Sequence, residues 1–217
     1  MNRKDDHTSI SIVQKTADLY ADDPQKLATE LKRLIKDGKR SRDPLMVGAA
    51  CCHLAELCHF EDDDHGAFSN ALRAITVLKD TKAYELLARS YISLGLVYSN
   101  QDNPQTAVEI DETAYQLVRK HRIHGPVRIK VLNSLAASYT LLGDIQKSIH
   151  LLNECLSLIE ESPEADLIGK AKVTLNLSAY YEDNNEPERA RETLMTMDPW
   201  IEKVGFRALR CDYYLRL

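Results

Sequence analysis

The chain contains few of the residues that break helices or build sheets. Its 217 residues include only 8 Gly and 7 Pro, and aromatic residues make up 6%, whereas average usage would give about 26 Gly and Pro together. A sandwich or barrel needs many tight Gly-rich and Pro-rich turns, and it needs β-branched and aromatic runs. The composition therefore excludes an all-β fold and favours long helices joined by short connections.

Positive charge, long apolar runs and paired cysteines are also lacking. The net charge is −5 and the pI is about 5.8, which gives no general footprint for nucleic acid or an anionic membrane. The polar start, Met1–Asp6, leads into no apolar stretch, and no run approaches the roughly 18 apolar residues of a membrane span. Five Cys without a CxxC pair indicate reduced thiols in a core. These features predict a cytoplasmic protein with no membrane insertion.

Signatures of catalysis and of cofactor binding are missing as well. The sequence has no GxGxxG or Walker-type loop, no HExxH, no GxSxG and no kinase motif set. One zinc-like constellation exists, because Cys52, Glu56 and His59 are spaced i, i+4 and i+7 on one helical face. Closed zinc sites usually have more tightly paired ligands, so we favour a packed Cys52 beside a solvated face. We predict no enzyme activity in this segment, no cofactor and no metal.

A repeat of 40 to 42 residues runs through the chain. A Leu followed by a small residue recurs with an aromatic residue or Cys three positions later, and a second small residue follows twelve positions after the first. Polar turn residues lie between the two small residues. The first small residues are Ala55, Gly95, Ala136 and Ser178, and the second are Ala67, Ala107, Ser148 and Ala190.

This pattern predicts helix hairpins in which the small residues let two helices approach closely. The segments Leu94-Gly95-x-x-Tyr98 and Leu135-Ala136-x-x-Tyr139 resemble tetratricopeptide repeats, and the resemblance covers nearly the whole chain. The usual tetratricopeptide unit has about 34 residues. The longer period of 40 to 42 residues resembles the extended repeats of bacterial peptide-sensing regulators. The resemblance implies an all-α fold, a right-handed α-solenoid of about ten to eleven helices.

The seven prolines fit the same register. Pro24, Pro104 and Pro187 precede the second helices of their repeats, and the other four, Pro44, Pro126, Pro163 and Pro199, are expected to begin first helices. We predict one solenoid domain over 1–217. Its repeats cover approximately 8–42, 43–80, 81–124, 125–162 and 163–198, and 199–217 begins a further repeat or forms a capping helix.

The last helix is predicted to lack a partner. Residues 206–217 have an amphipathic helical pattern, but the chain ends before a hairpin can close. Natural arrays cover such an apolar end with a polar capping helix. We therefore expect a longer protein, or a partner chain over this helix, including a homodimer through it.

Two basic clusters have two interpretations, an anion or nucleic-acid site or the normal cationic end of a helix, which complements the macrodipole. We favour the second and predict no nucleic-acid partner, because aromatic residues are not interleaved with the cations. One cluster comprises Lys32, Arg33, Lys36, Lys39, Arg40 and Arg42, and the other Arg119, Lys120, Arg122, Arg128 and Lys130.

The tetratricopeptide resemblance implies that the first helices line a concave groove. The Lys-then-Asn pair of the chaperone-tail carboxylate clamp is missing. Amides can hold a peptide backbone and cations its carboxylates, although an ordinary solvated polar face would look the same. We expect Asn133→Ala and Arg89→Ala to weaken peptide binding with little change in melting temperature. The predicted groove residues are Glu56, His59, Arg89, Ile92, Leu96, Asn100, Lys130, Asn133 and Lys172.

Together these features predict a non-catalytic module that binds a protein or peptide in its groove. The resemblance also extends to the tetratricopeptide segments that precede diguanylate cyclase domains, which implies the N-terminal sensory or docking region of a larger bacterial signalling protein. A peptide-pheromone receptor of the quorum-sensing type is the alternative. A metal-binding or enzymatic helical protein built on Cys52, Glu56 and His59 is the third.

Overall fold

The fold is all-α. The computed structural model describes the backbone of residues 3–160 and 167–217, and the side chains from residue 8 onward. Within these residues there are eleven α-helices, one short 3₁₀ helix and no strand, so the predicted helical hairpins are confirmed. The α-helices are α1 (Arg3–Leu19), α2 (Pro24–Ser41), α3 (Pro44–Phe60), α4 (Asp64–Leu78), α5 (Tyr84–Asn100), α6 (Pro104–Lys120), α7 (Pro126–Leu142), α8 (Ile145–Glu160), α9 (Leu167–Asp183), α10 (Pro187–Met195) and α11 (Arg207–Arg216).

Helix starts follow the cap-and-proline pattern of the sequence. The carboxylates of Asp23 and Asp43 and the amide oxygen of Asn103 accept hydrogen bonds from backbone N–H groups in the first turns of α2, α3 and α6. A proline occupies the first turn of each of these helices, and α7 and α10 also begin at a proline. Proline fits there because the first N–H groups of a helix have no intrahelical partner.

Two prolines remain. Pro163 lies outside the described residues. The prediction that Pro199 begins a helix is wrong, because it lies in a turn that leads into the 3₁₀ helix Ile201–Lys203. The carboxylate of the preceding Asp198 does not cap a helix but accepts a hydrogen bond from the hydroxyl of Tyr213 in α11.

The turns inside the hairpins α3–α4, α5–α6, α7–α8 and α9–α10 share one geometry. The left-handed residue of each turn lies seven positions after the first small residue: Asp62, Asp102, Gly143 and Asn185, with φ of 57°, 55°, 90° and 58°. The N–H of the next residue donates to the carbonyl of the repeat's aromatic-or-Cys position in all four turns, with distances of 2.8 to 3.0 Å. This is a Schellman-type helix end. In α4, α6 and α8 the same next residue then accepts from the backbone N–H three positions on, so it closes one helix and caps the other.

The small residues bring paired helices together as predicted. Ser148 Oγ donates to the Ala136 carbonyl at 2.7 Å, which joins the two small positions of that repeat. A Cβ on residue 95 would lie 2.4 Å from Asp111 Oδ1, so Gly95 leaves room on α5 for the buried Asp111 carboxylate of α6. The small residues therefore allow the two helices of these hairpins to pack closely.

The chain divides into two compact units, residues 1–123 and 124–217. The first comprises α1–α6 around buried residues such as Leu31, Val47 and Leu78. The second comprises α7–α11 and includes a buried cluster around Leu194 and Tyr213. Assignment of the whole chain to one domain stays a prediction. No helix in the described residues is long and apolar enough to cross a membrane.

Candidate functional site

In the first unit, the first helices α3 and α5 carry an ion pair across their shared face. Arg89 Nε donates to Glu56 Oε1 at 2.9 Å, and Arg89 Nη2 donates to Glu56 Oε2 at 2.5 Å. His53 Nδ1 lies 3.5 Å from Arg89 Nη2. The Arg89 side chain is only 14% exposed and that of Glu56 32%. This planar, two-point pairing is the geometry that arginine favours with carboxylates.

The pair changes how Arg89 can act. Burial alone would lower its pKa, but the hydrogen bond to Glu56 and nearby negative charge raise the pKa above its ordinary value. The guanidinium therefore stays charged, and its charge is compensated inside the protein. Arg89 serves α3–α5 packing before it can serve a ligand, which the sequence did not indicate.

The remaining predicted groove residues of this unit lie on the same two helices, α3 and α5. Ile92 and Leu96 on α5 are half-buried, and the Asn100 amide donates to the Asp64 carboxylate at 2.8 Å. His59 is half-buried, and its Nδ1 has no hydrogen-bond partner among the described residues. These residues thus include apolar and polar groups with partial exposure, while their role in binding stays a prediction.

Cys52, Glu56 and His59 do not form a metal-ligand set. The Cys52 thiol is buried and donates to the Leu86 carbonyl at 3.7 Å, while the Glu56 carboxylate is held by Arg89. Among the described residues, no group of three or more His, Cys, Asp or Glu side chains is arranged to hold a metal ion.

In the second unit, α7 and α9 carry a pair of amides. Asn176 Nδ2 donates to Asn133 Oδ1 at 3.1 Å, and both side chains are half-buried. Lys130 on α7 and Lys172 on α9 are exposed. Among the described residues, the pair leaves the Asn133 Nδ2 donor and the Asn176 Oδ1 acceptor without a bond inside the protein.

A second polar contact joins the same two helices. Burial raises the pKa of Tyr180, and a hydrogen bond with the Thr140 side chain opposes that shift. Leu175 adds no apolar surface to this face, because it is 3% exposed and packs with Ala171 and Leu194. The α7–α9 face is therefore one of amides and hydroxyls.

The tyrosines at the repeat's packing position make paired contacts with cations of the following helix. Lys147 Nζ lies 4.7 Å from the Tyr139 ring centre, and the Arg189 guanidinium carbon lies 5.8 Å from that of Tyr181. Both pairs are separated by eight residues and therefore occupy equivalent positions in successive repeats. This favours packing over ligand binding for these rings.

Sequence reasoning missed His53, Asn176 and Tyr180 at these faces. Asn176 immediately precedes the Leu of the Leu-small pair in its repeat. The predicted groove residue Asn133 lies two positions before the Leu of its own pair, so the two amides occupy different register positions. A polar residue facing a polar residue one repeat away, Asn133 against Asn176, is a signal that a comparison of adjacent first helices could have found.

Comparisons with known proteins agree with this architecture. The tetratricopeptide repeat family model matches residues 128–196, which fall on α7–α10. No curated protein gives a significant match.

Solved structures show the fold over most of the chain. BtubC (BKLC) from P. vanneervenii is 19% identical with a TM-score of 0.72, and the match covers 90% of this chain and 82% of that one. A Podosopora anserina putative kinesin light chain with nearly identical TPR-like repeats is 17% identical with a TM-score of 0.64, covering 92% and 96%. A thermophilic TPR protein of Thermus thermophilus is 16% identical with a TM-score of 0.64, covering 97% and 98%. The fold is that of tetratricopeptide repeat solenoids, and residues 128–196 also match that family in sequence.

Proposed function

We propose that this chain is a non-catalytic module that binds an extended peptide segment of a protein partner on its first-helix faces. Tetratricopeptide repeats suggest a protein–protein interaction module in general. The observation that supports peptide binding here is the Asn133–Asn176 pair, which leaves one amide donor and one amide oxygen unused. A peptide group offers the complementary acceptor and donor.

Charge next to the amide pair adds selectivity. Lys172 is exposed and has no ion pair among the described residues, and Lys130 is exposed on α7. Ammonium groups beside a backbone-binding amide favour a peptide with acidic side chains. Arg89 has a different part in this proposal, since it holds Glu56 in place next to the half-buried Ile92 and Leu96.

Peptide selection followed by affinity measurement tests the proposal. Peptides displayed on phage are panned against the full chain, and the dissociation constants of selected peptides are measured by anisotropy. We expect Asn133→Ala to weaken binding about fivefold to tenfold, the usual loss for one hydrogen bond. Gln146, an exposed amide on the second helix α8, supplies the control Gln146→Ala. Equal affinities for both variants would contradict the proposal.

We further propose that the module is the N-terminal sensory or docking region of a larger bacterial signalling protein. This rests on the resemblance of its extended repeats to such regions. The sequence of the gene beyond the codon for Leu217 tests it. An attached output domain whose activity changes when a selected peptide is added is expected, whereas a gene that ends at Leu217 would contradict the proposal. Tight binding of short free peptides to a chain without an output domain would favour the peptide-pheromone receptor.

The exposed apolar side chains of α11 support a self-association role. Tyr214 and Leu215 of α11 and the adjoining Leu217 are 58%, 86% and 58% exposed, and exposed apolar residues clustered in this way are typical of interfaces. We propose a homodimer through this helix. Light scattering of the wild-type chain is expected to give a dimer mass that Leu215→Glu reduces to the monomer mass, and a wild-type monomer would contradict it.

A further inference from the structure

A cleft opens among α2, α3 and α4 in the first unit, away from α5 and its groove residues. Its volume is about 350 Å³. The end of α2 supplies Lys39 and Arg42, the middle of α4 supplies Arg73, and Val47 and Val77 form apolar wall. Three cations therefore surround a space large enough for one or two side chains.

The α2–α3 connection fixes this geometry. A Cβ on residue 38 would lie 2.9 Å from Val47 Cγ2, so Gly38 permits the close approach of α2 and α3. Arg42 then adopts φ of 57°, and its N–H donates to the carbonyls of Gly38 and Lys39. This helix end directs the chain sharply into α3 and places Lys39 and Arg42 at the cleft.

The lining of the cleft has an excess of positive charge. Asp43 is the acidic residue of the lining, and its carboxylate is already engaged: Oδ1 accepts from the N–H groups of Leu45 and Met46, and Oδ2 accepts from Ser9 Oγ at 2.5 Å. Lys39, Arg42 and Arg73 are exposed and form no ion pair among the described residues. The cleft lining therefore has three cations against one carboxylate, and that carboxylate is held by neutral hydrogen-bond donors rather than by the lining cations.

Two of these cations, Arg73 and Lys39, interact electrostatically with the same buried thiol, that of Cys51. Burial raises the pKa of the Cys51 thiol to about 11, against the charges of Arg73 and Lys39, which both lower it. Cys51 lies in α3, the helix that contributes Pro44 and Val47 to the cleft lining. Charges contributed by α4 and by α2 thus act together at this place.

We propose that this cleft binds the anionic side chain of an acidic peptide segment. Guanidinium groups form two-point hydrogen bonds with carboxylate and phosphate oxygens, and Val47 and Val77 can contact an adjoining apolar side chain. The overall charge of −5 disfavours a polyanion such as nucleic acid, whose further charges would meet the rest of the surface. Glutamate and phosphoserine supply the same oxyanion chemistry.

Three labelled tetrapeptides test the proposal with the full chain in anisotropy titrations. The first has two glutamates between leucines, the second has phosphoserines in their place, and the third has glutamines. We expect one of the anionic peptides to bind and the glutamine peptide not to bind. Comparison of the first two identifies carboxylate or phosphate as the preferred oxyanion.

Two variants with the same change of charge separate a site from general attraction. Arg73→Gln removes a lining cation, whereas Arg40→Gln removes an exposed α2 cation outside the cleft. We expect Arg73→Gln to weaken binding at least about tenfold, as the loss of a charged hydrogen bond does, and Arg40→Gln to weaken it less than about twofold. Both residues are exposed, and circular dichroism checks that both variants fold.

Three results would overturn the proposal: no binding of either anionic peptide, equal weakening by the two variants, or equal binding of the glutamine peptide. Asn133→Ala, which tests the peptide-binding face of α7–α9, is expected to leave this binding unchanged. Failure of the cleft and failure of the proposed function are therefore separate results.

Discussion

Arg89 shows how one contact changes the role of a residue. From the sequence it is a groove cation whose removal should leave stability nearly unchanged. In the structure the Arg89 side chain is 14% exposed and bound at two points to Glu56. Removal of Arg89 would leave the half-buried Glu56 carboxylate without this partner, which costs free energy. The position of Arg89 across a helix pair could not be predicted, because repeat register fixes the helix of a residue but not which side chain of the neighbouring helix it meets.

We therefore expect Arg89→Ala to lower the free energy of unfolding by about 1–2 kcal/mol, less than a fully buried pair would lose because Glu56 is partly solvated. Urea denaturation measures the change. Arg33 also pairs with a glutamate, Glu30, but its side chain is 65% exposed, so Arg33→Ala should cost less than about 1 kcal/mol. Equal losses of unfolding free energy for the two variants would show that the α3–α5 ion pair stabilises the fold no more than an exposed pair does.

The buried thiols predict a loss of stability at alkaline pH. Burial raises the pKa of Cys155 to about 12, whereas the thiol of the unfolded chain ionises near pH 9. Above pH 9 the unfolded chain binds fewer protons than the folded one, so stability is complete below that pH and falls as the pH rises, by up to roughly 1.4 kcal/mol per unit for this group.

Urea denaturation at pH 8 and pH 10.5 tests this with Cys155→Ala. The variant is expected to be less stable at pH 8, because a buried side chain is truncated, and to lose less stability between the two values than the wild type. Identical pH dependence in both proteins would contradict the assigned burial effect.

At the scale of the element, the hairpin shows which parts of the repeat can be predicted from the sequence. Small residues and prolines predicted the helices and their order, since close approach and helix starts depend on local residue chemistry. The left-handed residue was not predicted, because Asp and Asn at positions 62, 102 and 185 resemble any polar turn. The sequence does not predict that Pro199 lies in a turn, because this conformation depends on the tertiary packing of Met197 and Tyr213 nearby.

The turn gives a prediction with a matched control. Gly143 has φ of 90°, and a Cβ added to it would meet no atom within 4 Å, while Gly205 has the same open space but no positive φ. Gly143→Ala should therefore destabilise by about 1–2 kcal/mol through backbone strain alone, and Gly205→Ala should be neutral or slightly stabilising. Thermal denaturation of both variants checks this, and equal melting temperatures would rule out strain at position 143.

At the scale of the whole molecule, each compact unit contains its own buried thiols. Cys51, Cys52 and Cys58 lie in the first unit and Cys155 in the second, whereas Cys211 is exposed. The sequence predicted reduced core thiols, but it could not show that one of the five lies at the surface, because a single Cys in a short amphipathic helix has no burial pattern.

We expect a thiol reagent to modify Cys211 alone in the native chain, since buried thiols are protected until their surroundings open. Labelling at increasing urea, followed by mass spectrometry of peptides, then reports the opening of each unit through its own cysteines. Fast native labelling of Cys51 or Cys155 would contradict the structure of that unit.

The repeated turn also bears on how this protein can change over evolution. The distance between the two small residues is twelve in all four repeats that have them, and the Schellman bond occupies a fixed position within it. All of the variation from 40 to 42 residues lies between the second small residue and the next repeat. Insertions and deletions should therefore be tolerated at a connection between hairpins such as residues 79–83, and rejected within 58–70 or 98–110, where one added residue would break both a helix end and the following cap.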